Sequence, residues 1–263
     1  MIELAPNWKH SLTIRNPILF AAGGYATDAN KIGALITLPT TLRARAGAPM
    51  PRVVEIPGGV LIRTGAANPG LTRVIREYRR AWEQSQTPVI VAFASQGARD
   101  WVTMAAQLES VAGVGGIELH FNPMMDAADA LRAVRAATEL PLFAKLDLDN
   151  VRDIAVDCVA AGANALVIGR APRGMRILDG KAWYGRLYAP SVKPIALCAI
   201  GEIRDLGLGI PLVACGGIHS AEDAREVLAA GACAVEVHSA EWIEPRIAAR
   251  MAAELESETD GSH

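Results

Sequence analysis

Three groups of residues in this sequence have types and spacings suited to chemistry. The first is Cys215-Gly216-Gly217-Ile218-His219-Ser220, which leads from an apolar run into a helical pattern, with Val237-His238-Ser239 closing the next apolar run. Adjacent glycines let backbone approach a ligand closely, and the helix start beyond them offers unpaired N–H groups and positive potential, which suits a phosphate. A tight strand-to-helix turn with no ligand is the other reading. The second group is Ala21-Ala22-Gly23-Gly24, small enough to lie flat against a planar ring or to make a plain turn. The third is a set of polar side chains at the ends of apolar runs. Lys145 sits where a buried ammonium needs an anion or a polar ligand to meet it. His120 titrates in a range suited to proton transfer, or is a rim histidine bonded to a neighbour. Arg170 suits a carboxylate or phosphate of a ligand, or a surface acid.

Holding these groups together requires a repeating framework, and the hydrophobic pattern supplies one. Brief apolar runs at 18–21, 34–37, 89–93, 116–120, 142–146, 165–168, 212–215 and 234–238 read as eight strands. Longer segments between them carry apolar residues at steps of three and four, such as Trp101, Met104, Leu108 and Val111, so each strand is expected to be followed by one helix. Ser220 before Ala221-Glu222-Asp223 is an N-cap signal, and Gly162 and Gly231 stand where helices would stop. Continuous apolar strands are buried on both faces, and right-handed crossovers carry the helices outside. Eight such units close most naturally into a (β/α)₈ TIM barrel, with a doubly wound open sheet as the alternative. An N-terminal hairpin from Ile2 to Leu4 and Ser11 to Ile14 precedes it. Long loops follow strand two (Leu38 to Gly65) and strand six (Gly169 to Pro190), on the rim where barrels build their sites. The whole chain, 1–263, reads as one domain ending in a polar tail, 254–263, a candidate for disorder.

Composition narrows the class of function. The 263 residues are 51% hydrophobic and 21% charged, which excludes a disordered chain. Lys plus Arg number 26 against 28 Asp plus Glu, with no basic block, so neither nucleic acid nor a membrane is an expected partner. Cys158, Cys198, Cys215 and Cys233 lie in apolar runs without CxxC or His spacing, and read as reduced core residues of a cytoplasmic protein that holds no metal. No signal-peptide pattern opens the chain and no apolar stretch reaches twenty residues.

The sequence resembles the flavin subunit of class 1 dihydroorotate dehydrogenases, closest to class 1B. The likeness runs through Asn16-Pro17-Ile18-Leu19, Thr40-Thr41-Leu42, Pro51-Arg52-Val53-Val54-Glu55, Pro57-Gly58-Gly59, Asn68-Pro69-Gly70, Gly116-Ile117-Glu118-Leu119, Ala144-Lys145-Leu146, Lys193-Pro194-Ile195-Ala196-Leu197 and Gly216-Gly217-Ile218. The resemblance implies FMN as cofactor. Ala21, Ala22 and Gly23 then form the backbone wall beside the ring, Thr37 ends strand two at the cofactor, and Lys145 lies beside the flavin N1 and O2 edge. Gly216 and Gly217 make the phosphate turn, and His238 and Ser239 stand at the phosphate. Asn68 and Arg170 fall with the substrate. The resemblance also implies a homodimer and an iron-sulfur and FAD electron-transfer subunit.

Departures from the family pattern are as informative. Leu38 replaces a lysine after Thr37, Ile62 replaces a substrate asparagine, and Arg170 replaces another. The Asn-x-x-Cys-Pro-Asn loop falls at His120-Phe121-Asn122-Pro123-Met124, so the catalytic cysteine is missing and Asn122 marks its position. His238 stands for a glycine and Tyr188-Ala189 for a Ser-Gly pair. Each lost amide leaves a polar edge of the substrate unpaired, at about 1–3 kcal/mol. The preferred expectation is an FMN oxidoreductase passing a hydride between flavin N5 and a small molecule other than dihydroorotate, with His120 as candidate acid or base. The alternatives are a barrel binding FMN or another phosphorylated ligand without redox turnover, as partner of a true dehydrogenase, and a genuine dihydroorotate dehydrogenase of pyrimidine biosynthesis with a rearranged site.

Overall fold

A computed structural model describes residues 1–21, 24–25, 31–94, 97–121 and 125–260, without the side chains of 258–260. Two short strands, β1 (Ile2–Glu3) and β2 (Thr13–Ile14), pair antiparallel as the expected hairpin. β3 (Ile18–Ala21) and β4 (Ala34–Ile36) begin the barrel, and β5 (Val53–Ile56) and β6 (Gly59–Ile62) form a hairpin outside it. Helices and strands then alternate through α1 (Leu71–Gln84), β7 (Val89–Phe93), α2 (Ala98–Leu108), β8 (Val114–His120), α3 (Ala127–Arg135), β9 (Leu142–Asp147), α4 (Val151–Ala160) and β10 (Ala165–Arg170). A second hairpin, β11 (Arg173–Leu178) and β12 (Lys181–Tyr188), follows. The chain continues with α5 (Lys193–Asp205), β13 (Leu212–Cys215), α6 (Ala221–Ala229), β14 (Ala234–Val237), α7 (Ala240–Ile243) and α8 (Ile247–Asp260).

Strands β3, β4, β7, β8, β9, β10, β13 and β14 close into a barrel with every neighbouring pair parallel, as the eight apolar runs predict. Because strand side chains alternate, the barrel has two cores. Outward residues such as Val91, Phe93, Leu119 and Leu146 pack under the helices, while Leu19, Ile36, Ile90, Phe143, Val167 and Val213 fill the interior. Leu4, Leu12 and Ile14 of the hairpin region join that interior cluster.

Between β3 and β4, residues 22–23 and 26–30 lie outside the described residues, as does any test of the helix expected there. Two expectations are corrected. The two long loops are not irregular: β5, β6, β11 and β12 form one antiparallel sheet in the order β11-β12-β6-β5, with its own small core of Val54, Leu61 and Trp183. The segment read as a polar tail from Glu254 continues α8 as far as Asp260. Among the described residues, no helix is long and apolar enough to cross a membrane.

Candidate functional site

The alternation that fills the barrel with apolar residues at one end delivers polar ones at the other. Along β8 the inward positions are Gly116, Glu118 and His120. Gly116 leaves room for the Phe143 ring, since a Cβ there would lie 2.9 Å from Phe143 Cε2. Two residues on from Phe143 along β9 is Lys145, and two residues on from Ala234 along β14 is Glu236. Four strands thereby converge at the mouth, bringing the buried Glu118, Lys145 and Glu236 together with the partly buried Cys215.

Lys145 is the hub of this layer. Its Nζ donates to Glu236 Oε2 and lies 3.3 Å from Glu118 Oε1, and all three side chains are buried. Burial disfavours the ammonium, but the neighbouring acids win and hold its pKa well above the ordinary lysine value. Burial, reinforced by the adjacent Glu118, pushes the Glu236 carboxyl up to about 8, so Glu236 carries a proton at neutral pH. Glu118 Oε2 and Glu236 Oε1 have no hydrogen-bond donor while both are bare acceptors, and a proton on Glu236 turns the two carboxyls into a donor and an acceptor. Burial likewise pushes the Cys215 thiol up to about 12, which keeps it un-ionised.

Above this layer stand His120, Asp147, Arg170 and Arg186. His120 Nε2 bonds to Glu118 Oε1. Burial and the Lys145 and Arg170 cations hold His120 well below the usual histidine range, so it is neutral and weakly basic. Asp147 takes both arginines: Arg186 at 2.8 Å and Arg170 at 3.7 Å, while Arg170 also donates to the Phe121 carbonyl. A cleft of about 190 Å³ opens between β8, β9 and β10, lined by Phe121, Met125, Asp126, Lys145, Asp147, Asn150, Asp157 and Arg170.

The remaining sequence-predicted residues divide. Ala22, Gly23 and Asn122 lie outside the described residues. Ala21 ends β3 in the interior core. The Thr37 hydroxyl accepts from Ala92 N at 3.0 Å and donates to the Leu38 carbonyl at 3.2 Å, tying β4 to β7. The Asn68 amide is saturated by its own loop, donating to Thr41 Oγ1 and Ala66 O and accepting from Gly70 N and Thr41 N. Ser239 opens α7 without a side-chain capping bond.

The Gly216-Gly217 turn has both residues in the left-handed region, at φ 110° and 72°. A Cβ on Gly217 would lie 2.3 Å from Lys193 N and 2.7 Å from Pro190 O, so close packing against the start of α5 by itself demands glycine. Nearby, three rings meet: Tyr188 and His238 are T-shaped with centroids 5.3 Å apart, His238 and Trp242 T-shaped at 4.7 Å, and Tyr188 and Trp242 tilted at 5.5 Å. Glu118 and Glu236 escaped sequence reasoning because they sit inside apolar strands; a lone acid in such a run is the signal that marks them.

A closed parallel barrel whose polar residues gather at the carboxyl ends of its strands defines a TIM barrel. The family model described as dihydroorotate dehydrogenase matches residues 9–258. Three relatives are named dihydroorotate dehydrogenase B (NAD(+)), catalytic subunit. That of Desulforudis audaxviator is 35% identical, covering 93% of this chain and 89% of its own; that of Geobacter sp. strain M21 is 34% identical, covering 93% and 90%. That of Bacillus cytotoxicus is 32% identical, covering 95% and 90%. The chain belongs to the dihydroorotate dehydrogenase family, on the class 1B side of it.

Proposed function

We propose that this chain is a dihydroorotate dehydrogenase-like member of its oxidoreductase family that does not oxidise dihydroorotate and acts as a non-redox binding partner. The observation that carries this reading is the 120–124 segment, which holds no cysteine to take the substrate proton, beside a His120 that is bonded to Glu118 and weakly basic. The Asp147 carboxylate meets both rim arginines, and the Asn68 amide is spent on its loop. With no cysteine in the 120–124 segment and His120 a weak base, dihydroorotate lacks both its recognition groups and its proton acceptor.

The relatives' name, catalytic subunit, implies that those proteins work with a second subunit. An assembly role in the cytoplasm, as one domain alongside a catalytic chain or as a homodimer, is the part of that inheritance this reading keeps. Isothermal calorimetry with dihydroorotate and with orotate tests the loss of recognition. No heat of binding is expected up to about 1 mM, and micromolar binding of either would overturn the reading.

One observation favours a second reading, an oxidoreductase of another small substrate that retains FMN. His120 and Glu118 form a bonded pair beside the cleft, an arrangement able to orient a neutral imidazole toward a ligand. Substrate-dependent bleaching of a bound flavin would establish it.

A further inference from the structure

We infer that the flavin seat of this barrel is filled from within the chain, by the rings of Tyr188, His238 and Trp242, so that the protein takes up no FMN. The inference deepens the non-redox reading and rests on it. The three rings reach the mouth from three elements: Tyr188 ends β12, His238 directly follows β14, and Trp242 lies on α7. Each contacts the other two, at 4.7–5.5 Å between centroids, in a cluster at the end of β14 with Trp242 half-exposed at its rim.

This plug is anchored by backbone. Tyr188 pairs with Val60 of β6, and a Cβ on the adjacent Gly59 would lie 2.5 Å from the Tyr188 carbonyl oxygen, so the strand carrying the ring is packed tightly from behind. Just beyond, Pro190 and Lys193 close on Gly217, so the turn that a phosphate would use is backed by protein. Two further observations agree. Lys145 Nζ is already engaged by Glu236 and lies 3.3 Å from Glu118. The cleft lined by Lys145, Asp147 and Arg170, about 190 Å³, contains no residue of the Gly216-Gly217 turn in its lining.

The test titrates FMN into the wild-type chain and into a Tyr188→Ser/His238→Gly variant, following flavin fluorescence and the shape of the visible band, with thermal melting as the control of folding. The wild type should leave FMN unchanged up to about 100 µM, and the double variant should bind at least about tenfold more tightly. Trp242→Ala/His238→Gly, which keeps the packed Tyr188, is the second variant should the first fail to fold, with the same gain expected. Stoichiometric quenching of FMN by the wild type would overturn the inference, and so would a folded variant that still ignores FMN. Wild type that binds FMN yet forms no orotate from dihydroorotate would sink this inference while leaving the non-redox reading intact, whereas orotate formation would sink that reading.

Discussion

At the scale of single residues, the polar layer inside the barrel mouth turns on one proton. Glu236 is pushed up to about 8 from an ordinary value of 4.5, so its contribution to stability is fully present below about pH 4.5 and is lost as pH rises through 8. His120 and His238, both held below the usual histidine range, act in the opposite direction and only on the acid side, and the raised cysteine thiols, which lose stability toward pH 9, are common to wild type and variant and cancel in the comparison. Glu236→Gln keeps the shape and hydrogen bonding of the protonated carboxyl. Chemical denaturation at pH 7 and pH 9 should show the wild type losing about 1–1.5 kcal/mol more stability than the Gln variant over that interval. Equal losses in the two proteins would mean that Glu236 is ionised throughout. Lys145, His120 and Arg170 were legible in the sequence because each ends an apolar run. Their partners were not, because a strand position that reads as core from its neighbours shows its charge only once the opposite strands are in register.

At the scale of elements, local pattern and long-range pairing part company. The eight barrel strands were legible as continuous apolar runs, and the Ser220 cap was legible too: its hydroxyl accepts from Asp223 N at 3.1 Å. The accessory sheet was not. Its strands mix exposed and buried positions, carry prolines between them, and pair β6 with β12 across more than a hundred residues, a contact that no local window contains. This sheet matters for the site because it delivers Tyr188 and Arg186 to the mouth. The glycine turns illustrate the same limit. Gly58, the third residue of the Ile56-Pro57-Gly58-Gly59 hairpin turn, has φ 78° with nothing within 4 Å of an added Cβ, so Gly58→Ala should cost about 1 kcal/mol of conformational strain. Gly217→Ala adds a backbone clash to a comparable φ, and should cost about 3 kcal/mol or more in thermal or chemical unfolding. Similar costs at the two positions would mean that the α5 junction yields, and would return the Gly216-Gly217 turn to service as an open ligand cradle.

At the scale of the whole molecule, the chain has the barrel framework of the dihydroorotate dehydrogenase family, and the loss of activity proposed above belongs to the side chains of its mouth. Stability and reactivity separate naturally in such a barrel. The interior and helix-facing cores fix the strands, and the side chains at the strand ends are free to change without disturbing them. Here Lys145 faces the carboxyls of Glu118 and Glu236, and Arg170 and Arg186 share the single acid Asp147. A binding barrel working beside a catalytic chain needs the framework and its surfaces, and it needs no free cation or base. The most direct measurement is orotate formation by the purified full chain, supplied with excess FMN, dihydroorotate and an artificial electron acceptor, and followed by chromatography over several hours. The expected result is no orotate above the enzyme-free control. Orotate accumulating in proportion to protein concentration, and abolished by Lys145→Ala, would contradict the account.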